Sequence, residues 1–191
     1  MSGEKGLEFV QGYLKDEAEL LGRIDAGAVA HVMDLCREAV SNDRFVFVFG
    51  NGGAAATASH FACDLGKGAS LGHKKRFKVL CLNDCIPWMT ALSNDISYED
   101  VFVQQLENFA HKDDVVIGIS ASGNSTNVIK AVSRAGELGC RTVGIVGFKG
   151  GRLKEHVEHC VLLPSDSMGL IEDAQLIVLH AVAYALMNDE G

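Results

Sequence analysis

The sequence predicts an α/β fold: an open, mostly parallel five-stranded sheet with helices on both faces. Three observations carry this reading. Five short apolar runs rich in β-branched and aromatic residues (Phe45–Phe49, Lys78–Leu82, Val115–Ile119, Thr142–Val146 and Cys160–Leu163) alternate with stretches of helical periodicity. Two of the runs end in Gly/Ser/Asn turns that open directly into helical patterns, the repeating unit of such sheets. Only two prolines, Pro87 and Pro164, occur in the 191 residues, and no Gly/Ser-rich or charged linker divides them, so a single core is expected.

The elements follow in order. Leu7, Val10, Leu14, Leu20, Leu21 and Ile24 recur at helical spacing, and Ala28–Val40 is a second amphipathic run. Gly22 and Asp25-Ala26-Gly27 mark the break between the two. These helices carry more apolar positions than one sheet face needs, so residues 1–42 read as an oligomerisation segment and 43–191 as the sheet domain. After the first strand, Ala54–Leu65 reads as a helix, Met89–Asn94 begins another, and Tyr98–Phe109 is a further one. Asn124–Leu138 follows the third strand, and Ile171–Met187 closes the chain as a long helix.

Composition narrows the function. With 48% hydrophobic residues the chain is not disordered, and its net charge of −8 makes duplex nucleic acid and anionic membranes poor general partners. A phosphate can still bind an acidic protein through backbone N–H groups. Met1–Glu8 is polar and unlike a signal peptide, and no apolar run is read as approaching the ~20 residues of a membrane span. Six cysteines are scattered at 36, 63, 81, 85, 140 and 160 without a C-x-x-C pair, which reads as free thiols and a cytoplasmic location.

Two motifs carry chemistry. Gly50-Asn51-Gly52-Gly53 and Ser120-Ala121-Ser122-Gly123-Asn124-Ser125 each join a strand to a helix N-terminus, where unpaired N–H groups and the helix dipole favour an anion. The first does not fit the dinucleotide fingerprint, since Ala55 stands where the third glycine belongs, and no Gly-Lys-Ser/Thr of a Walker loop occurs. The second constellation is His60, Asp64, Glu172 and His180. His60 and Asp64 share a helix face at i and i+4, whereas Glu172 and His180 stand eight positions apart on the last helix, about 80° around its axis. Two imidazoles and two carboxylates suit zinc or another borderline divalent metal, and equally acid–base catalysis. A hydrogen-bonded core histidine at 180 fits the spacing too.

Phe49-Gly50-Asn51-Gly52-Gly53-Ala54-Ala55, His60-Phe61-Ala62-Cys63-Asp64-Leu65 and Ile119–Ser125 resemble sugar isomerase (SIS) domains, and within them the phosphoheptose isomerases. The likeness extends over nearly the whole length, through Leu92-Ser93-Asn94-Asp95 and Gly147–Gly151. It implies a phosphate held by Ser120, Ser122 and Ser125, and a sugar pocket lined by Asn51, Gly52 and Gly53 with Asp95 nearby. One divalent metal, zinc, would be held by His60, Asp64, Glu172 and His180, Glu172 also reaching substrate. Several positions depart from the family pattern. Asp64 replaces a catalytic glutamate and Glu172 a glutamine. Ala54 replaces a substrate-contacting serine and Ala121 a threonine, and Gly169-Leu170 stands where the family has Asp-Arg.

The resemblance implies an aldose–ketose isomerase acting on a phosphorylated sugar, interconverting sedoheptulose 7-phosphate and D-glycero-manno-heptose 7-phosphate, with Asp64 and His180 as the acid–base pair. It also implies a homotetramer with active sites between subunits. A non-catalytic SIS protein, binding a replication initiator or sensing a sugar phosphate, is the alternative. The initiator-binding relative lacks histidine at the position of His180. A phosphosugar lyase or etherase shares the serine loop.

Overall fold

A computed structural model describes residues 3–189. Helices α1 (Gly3–Leu21) and α2 (Ala26–Ser41) precede β1 (Phe45–Gly50) and α3 (Gly53–Cys63). Then come β2 (Lys78–Cys81), α4 (Ile86–Asp95), α5 (Val103–Phe109), β3 (Val115–Ser120), α6 (Thr126–Glu137), β4 (Arg141–Val146), β5 (His159–Leu162) and α7 (Met168–Met187). The break at residues 22–25 is where the sequence puts it. Asp25 caps α2, its carboxylate accepting from the N–H groups of Gly27 and Ala28 at 2.8 and 3.2 Å.

All four strand pairings are parallel, and the order is β2-β1-β3-β4-β5. Side chains alternate between two cores. Val46, Val48, Ile117 and Ile119 face α1, α2, α3 and α7, while Phe47, Phe49 and Val116 face α5 and α6. Phe47 and Phe49 are fully buried, each burial contributing about 2–3 kcal/mol. The order reverses direction between β1 and β3, which opens a crevice at their carboxyl ends, where sheets of this kind bind ligands. The turns after β1 and β3 are the two motifs singled out above.

Three elements differ from the sequence reading. The helix expected over Tyr98–Phe109 is a 3-10 turn, Tyr98–Asp100, followed by α5. Ser97 caps that turn and also donates to Asp100, so the chain is held in a tight turn before the helix starts. The helix after the first turn continues beyond Cys63 as a π-helical turn, Asp64–Gly68. The third difference concerns α7. Over 20 residues it is long and apolar enough to cross a membrane, against the reading that no run approaches that length. Glu172, Asp173 and His180 break up the apolar pattern in sequence. Half of the qualifying window is buried inside the protein, where α7 packs on α1, α2 and α3 as a core helix.

Candidate active site

The serine loop is built by backbone. Gly123 N–H donates to the Ser120 carbonyl at 3.0 Å, closing the turn, and the loop is tied to the one after β4. Gly147 donates to Ala121 at 2.9 Å, Leu153 to Gly123 at 2.8 Å, and Arg152 to Asn124 Oδ1 at 3.2 Å. Gly123 has φ +65°, and a Cβ there would lie 2.1 Å from the Gly150 carbonyl oxygen, so no other residue fits without moving the neighbouring loop. Ser125 occupies the N-cap of α6 but makes no side-chain cap; its hydroxyl lies 3.1 Å from that of Ser120. Among the described residues each hydroxyl is bonded only to the other, which leaves one O–H to donate to a ligand, and with the Val128 N–H taken by Asn127 Oδ1 at 2.9 Å the N–H groups of Thr126 and Asn127 lie beside it.

The turn after β1 faces this loop. Asn83 bridges Gly50, accepting from its N–H at 3.1 Å and donating to its carbonyl at 2.9 Å. Asn51 exchanges two amide hydrogen bonds with buried Asn127, at 2.8 and 2.9 Å, and its Oδ1 also accepts from the Tyr98 hydroxyl at 2.9 Å. The Asn51 side chain is thus tied into the protein, although the residue lines the pocket. Asn83, Tyr98 and Asn127 were not singled out by sequence. The one available signal was an asparagine at or just after a strand end or in a first helical turn, a pattern common in ordinary loops.

Between the two turns lies a cavity of about 210 Å³, lined by Asn51, Ala54, Ser120, Ser122, Ser125 and Glu172, with apolar walls from Ile119, Ala121 and Met168. Gly53, the first residue of α3, forms the seat of the Glu172 carboxylate. A Cβ on Gly53 would fall 2.7 and 2.9 Å from its two oxygens. Asp95 is not among the lining residues; it ends α4, exposed, and accepts from Asn94 at 2.8 Å.

At the far end of α3 the His60 and His180 Nε2 atoms are 3.0 Å apart, and Asp64 Oδ2 lies 3.5 Å from each. Asp64 Oδ2 is buried without a hydrogen-bond partner. A tetrahedral zinc with bonds of about 2.0–2.1 Å has donor–donor edges of about 3.4 Å. Two imidazole nitrogens and a carboxylate oxygen at 3.0, 3.5 and 3.5 Å are therefore one face of such a site, and the orphaned oxygen has no other partner. The donor set and spacing fit zinc.

Glu172 is not in this group. Eight residues along one helix amount to a rise of about 12 Å, more than a glutamate side chain spans. With Gly53 beside Glu172 and His60 beside His180, α3 and α7 run side by side in the same direction, holding the serine cavity at one end and the trio at the other, about 10 Å apart. Of the four sequence-predicted ligands, the structure gathers His60, Asp64 and His180, and it places Glu172 with the serines.

Comparison with known proteins identifies the family. The family model described as the SIS domain matches residues 12–147. A Thermoplasma volcanium protein named "Probable phosphoheptose isomerase" is 40% identical over 137 residues, covering 72% of this chain and 69% of its own. The phosphoheptose isomerase of Helicobacter pylori strain 26695 is 36% identical over 177 residues, covering 93% of this chain and 84% of its own. The structure of the phosphoheptose isomerase of Neisseria gonorrhoeae superposes with a TM-score of 0.86 at 26% identity, over 94% of this chain and 97% of that one. The chain belongs to the SIS domain family, in its phosphoheptose isomerase branch.

Proposed function

We propose that the protein is an aldose–ketose isomerase of sugar phosphates that interconverts sedoheptulose 7-phosphate and D-glycero-manno-heptose 7-phosphate. The observation that carries this reading is the pairing, on one helix pair, of an uncapped serine loop with a His–His–Asp trio. Ser120, Ser122 and Ser125, with the N–H groups at the start of α6, hold the phosphate. The rims at Asn51, Gly52 and Gly53 shape the sugar pocket, and Asp95 is the further substrate contact that the family resemblance implies.

His60, Asp64 and His180 would hold a divalent metal, zinc by the donor set. When bound, zinc supplies Lewis-acid polarisation of a carbonyl. Asp64 and His180 serve as the acid–base pair that moves the proton between the two carbons of the isomerising centre. Because the serine cavity and the trio of one chain are about 10 Å apart along α3, the complete site joins the cavity of one subunit to the trio of the next.

A homotetramer supplies such a junction. Leu7, Phe9, Val10 and Leu14 on α1 are exposed, and an apolar groove of about 400 Å³ lined by Leu21, Ile24, Val29, Met33, Ile177 and Val182 runs between α1, α2 and α7. The N-terminal helices are accordingly the oligomerisation segment. All six cysteines are free, which supports a cytoplasmic setting. Steady-state isomerisation of sedoheptulose 7-phosphate tests the reading, with bound metal measured on the same sample. Turnover by the parent protein and a fall of at least about 100-fold in His180→Gln is expected. A folded, metal-loaded protein that binds the sugar phosphate and never turns it over would instead be a binding module.

A further inference from the structure

Asn51 is the one side-chain amide that lines the serine cavity, and a backbone group fixes which way that amide faces. The Val128 N–H donates to Asn127 Oδ1 at 2.9 Å, and since an N–H cannot accept, the atom it meets is the oxygen. Asn127 therefore turns its Nδ2 to Asn51 Oδ1 at 2.9 Å and its Oδ1 to Asn51 Nδ2 at 2.8 Å. The Tyr98 hydroxyl, 2.9 Å from Asn51 Oδ1, is then the donor of its bond and takes the second lone pair of that oxygen. Both lone pairs and one N–H are thus taken. Among the described residues Asn51 has a single N–H left to offer.

The turn that carries Tyr98 is clamped to α6, the helix that follows the serine loop. Asp100 is buried and accepts from Lys130 Nζ and from Ser97 Oγ, each at 2.7 Å. Lys130 stands three residues after Asn127 on α6, so one helix end holds both the turn and the Asn51 amide. The Tyr98 residue is itself exposed, which leaves its hydroxyl little part in core packing. We infer that Tyr98 is a positioning residue of the binding site: its hydroxyl holds the Asn51 amide so that the one free N–H serves an acceptor oxygen of the ligand. This rests on the reading of the serine cavity as a sugar-phosphate site. Without the hydroxyl, Asn51 Oδ1 keeps an unpaired lone pair beside an anion, and the amide is held from one side only. Phosphate oxygens and sugar oxygens both supply the acceptor.

The test is isothermal titration of sedoheptulose 7-phosphate and of inorganic phosphate into the full chain, with steady-state isomerisation and a melting curve on the same samples. Tyr98→Phe removes the hydroxyl alone. It should weaken sugar-phosphate affinity by about 5-fold, the worth of one hydrogen bond between neutral groups. KM should rise in step while kcat stays within about 2-fold, and Tm should move by no more than about 2 °C. An equal loss for inorganic phosphate assigns the N–H to a phosphate oxygen; a loss confined to the sugar phosphate assigns it to a sugar oxygen. In an Asn51→Ala background Tyr98→Phe should cost nothing further, because it acts through that amide. Parent affinity in Tyr98→Phe overturns the inference. So does a full additional loss in the Asn51→Ala background, which would show that Tyr98 acts by another route, and so does a fall in kcat at unchanged KM. If the parent protein binds the sugar phosphate without turning it over, the isomerase reading falls and the titrations still decide the role of Tyr98. If it binds no sugar phosphate, the reading of the cavity falls and this inference with it.

Discussion

The two ends of the α3–α7 pair are made of different material. At the serine end the groups proposed to hold the ligand are backbone N–H groups and short hydroxyls, fixed by a turn, a positive-φ glycine and hydrogen bonds to the next loop. At the histidine end they are three side chains, two imidazoles and a carboxylate, set against one another, with the His180 ring edge-on to Tyr184. A backbone site is rigid before its ligand arrives, and changing it strains the fold. A side-chain site can be lost without disturbing the fold, because the helices beneath it are held by the core. The serine end should therefore fail through stability and the histidine end through affinity.

The largest effect expected is at the histidine end. His60→Ala removes a donor from the trio and should weaken zinc binding by at least about 100-fold, since even outer-shell partners are worth 10–100-fold. Its metal-free Tm should move by no more than about 2 °C, because the side chain is half exposed. Competition with a chromophoric chelator and a melting curve would measure both. A large loss of metal-free stability would break the contrast between the two ends.

Gly123→Ala comes next and should show the reverse pattern. It combines a left-handed backbone with a 2.1 Å approach to the Gly150 carbonyl oxygen, and should destabilise the fold by about 3 kcal/mol. In a melting curve that is a fall of about 6–12 °C, with zinc binding retained. Asn127→Ala is a smaller test of the same end. It leaves the Asn51 amide without its reciprocal partner and should lower stability by about 2 kcal/mol in urea unfolding.

The smallest expected effect lies outside both ends, where α1 meets α7. The Tyr13 hydroxyl donates to Asp173 at 2.6 Å, which raises its pKa to about 12. Beside it, burial and then the charge of Asp173 push the Glu17 carboxyl above its ordinary 4.5, and neither Glu17 oxygen has a hydrogen-bond partner. The folded chain thus holds that proton more tightly than the unfolded one. The stability tied to this group is present below pH 4.5 and falls as pH rises through the raised folded value. Glu17→Gln should raise Tm at pH 7 by about 2 °C and leave it unchanged below the ordinary carboxylate range. A gain equal at all pH values would show that charge is not the cause.

The contrast between the ends also explains what sequence could show. The strands and both turns were legible because each is a local pattern: a β-branched run, then Gly-Asn-Gly-Gly or Ser-x-Ser-Gly-Asn-Ser, then helical spacing. The crevice followed once the strand order was known, since β1 and β3 are neighbours at the point where the order reverses. The trio was partly legible. His60 and Asp64 are one helical turn apart, but His180 comes from 120 residues away, and nothing local says which α7 residue reaches them. Hence Glu172 was grouped with the metal ligands, although a rise of about 12 Å separates it from His180 on their shared helix. Asn127 and Asn83 stayed unseen because an amide that satisfies another amide across the crevice leaves no periodic trace. The 3-10 turn at Tyr98 was hidden by an apolar pattern that suits a helix equally well.

The claim at the centre of this account is that phosphate recognition and metal binding sit at separate ends of one helix pair. Isothermal titration of sedoheptulose 7-phosphate, of inorganic phosphate and of zinc into two variants, Ser122→Ala and His180→Gln, tests it directly. Ser122→Ala should lose sugar-phosphate affinity by at least about 10-fold and keep zinc, since one hydrogen bond to a charged group is worth about 1.5–3 kcal/mol. His180→Gln should lose zinc and keep its affinity for inorganic phosphate. Zinc and phosphate affinity lost together in both variants would contradict the account.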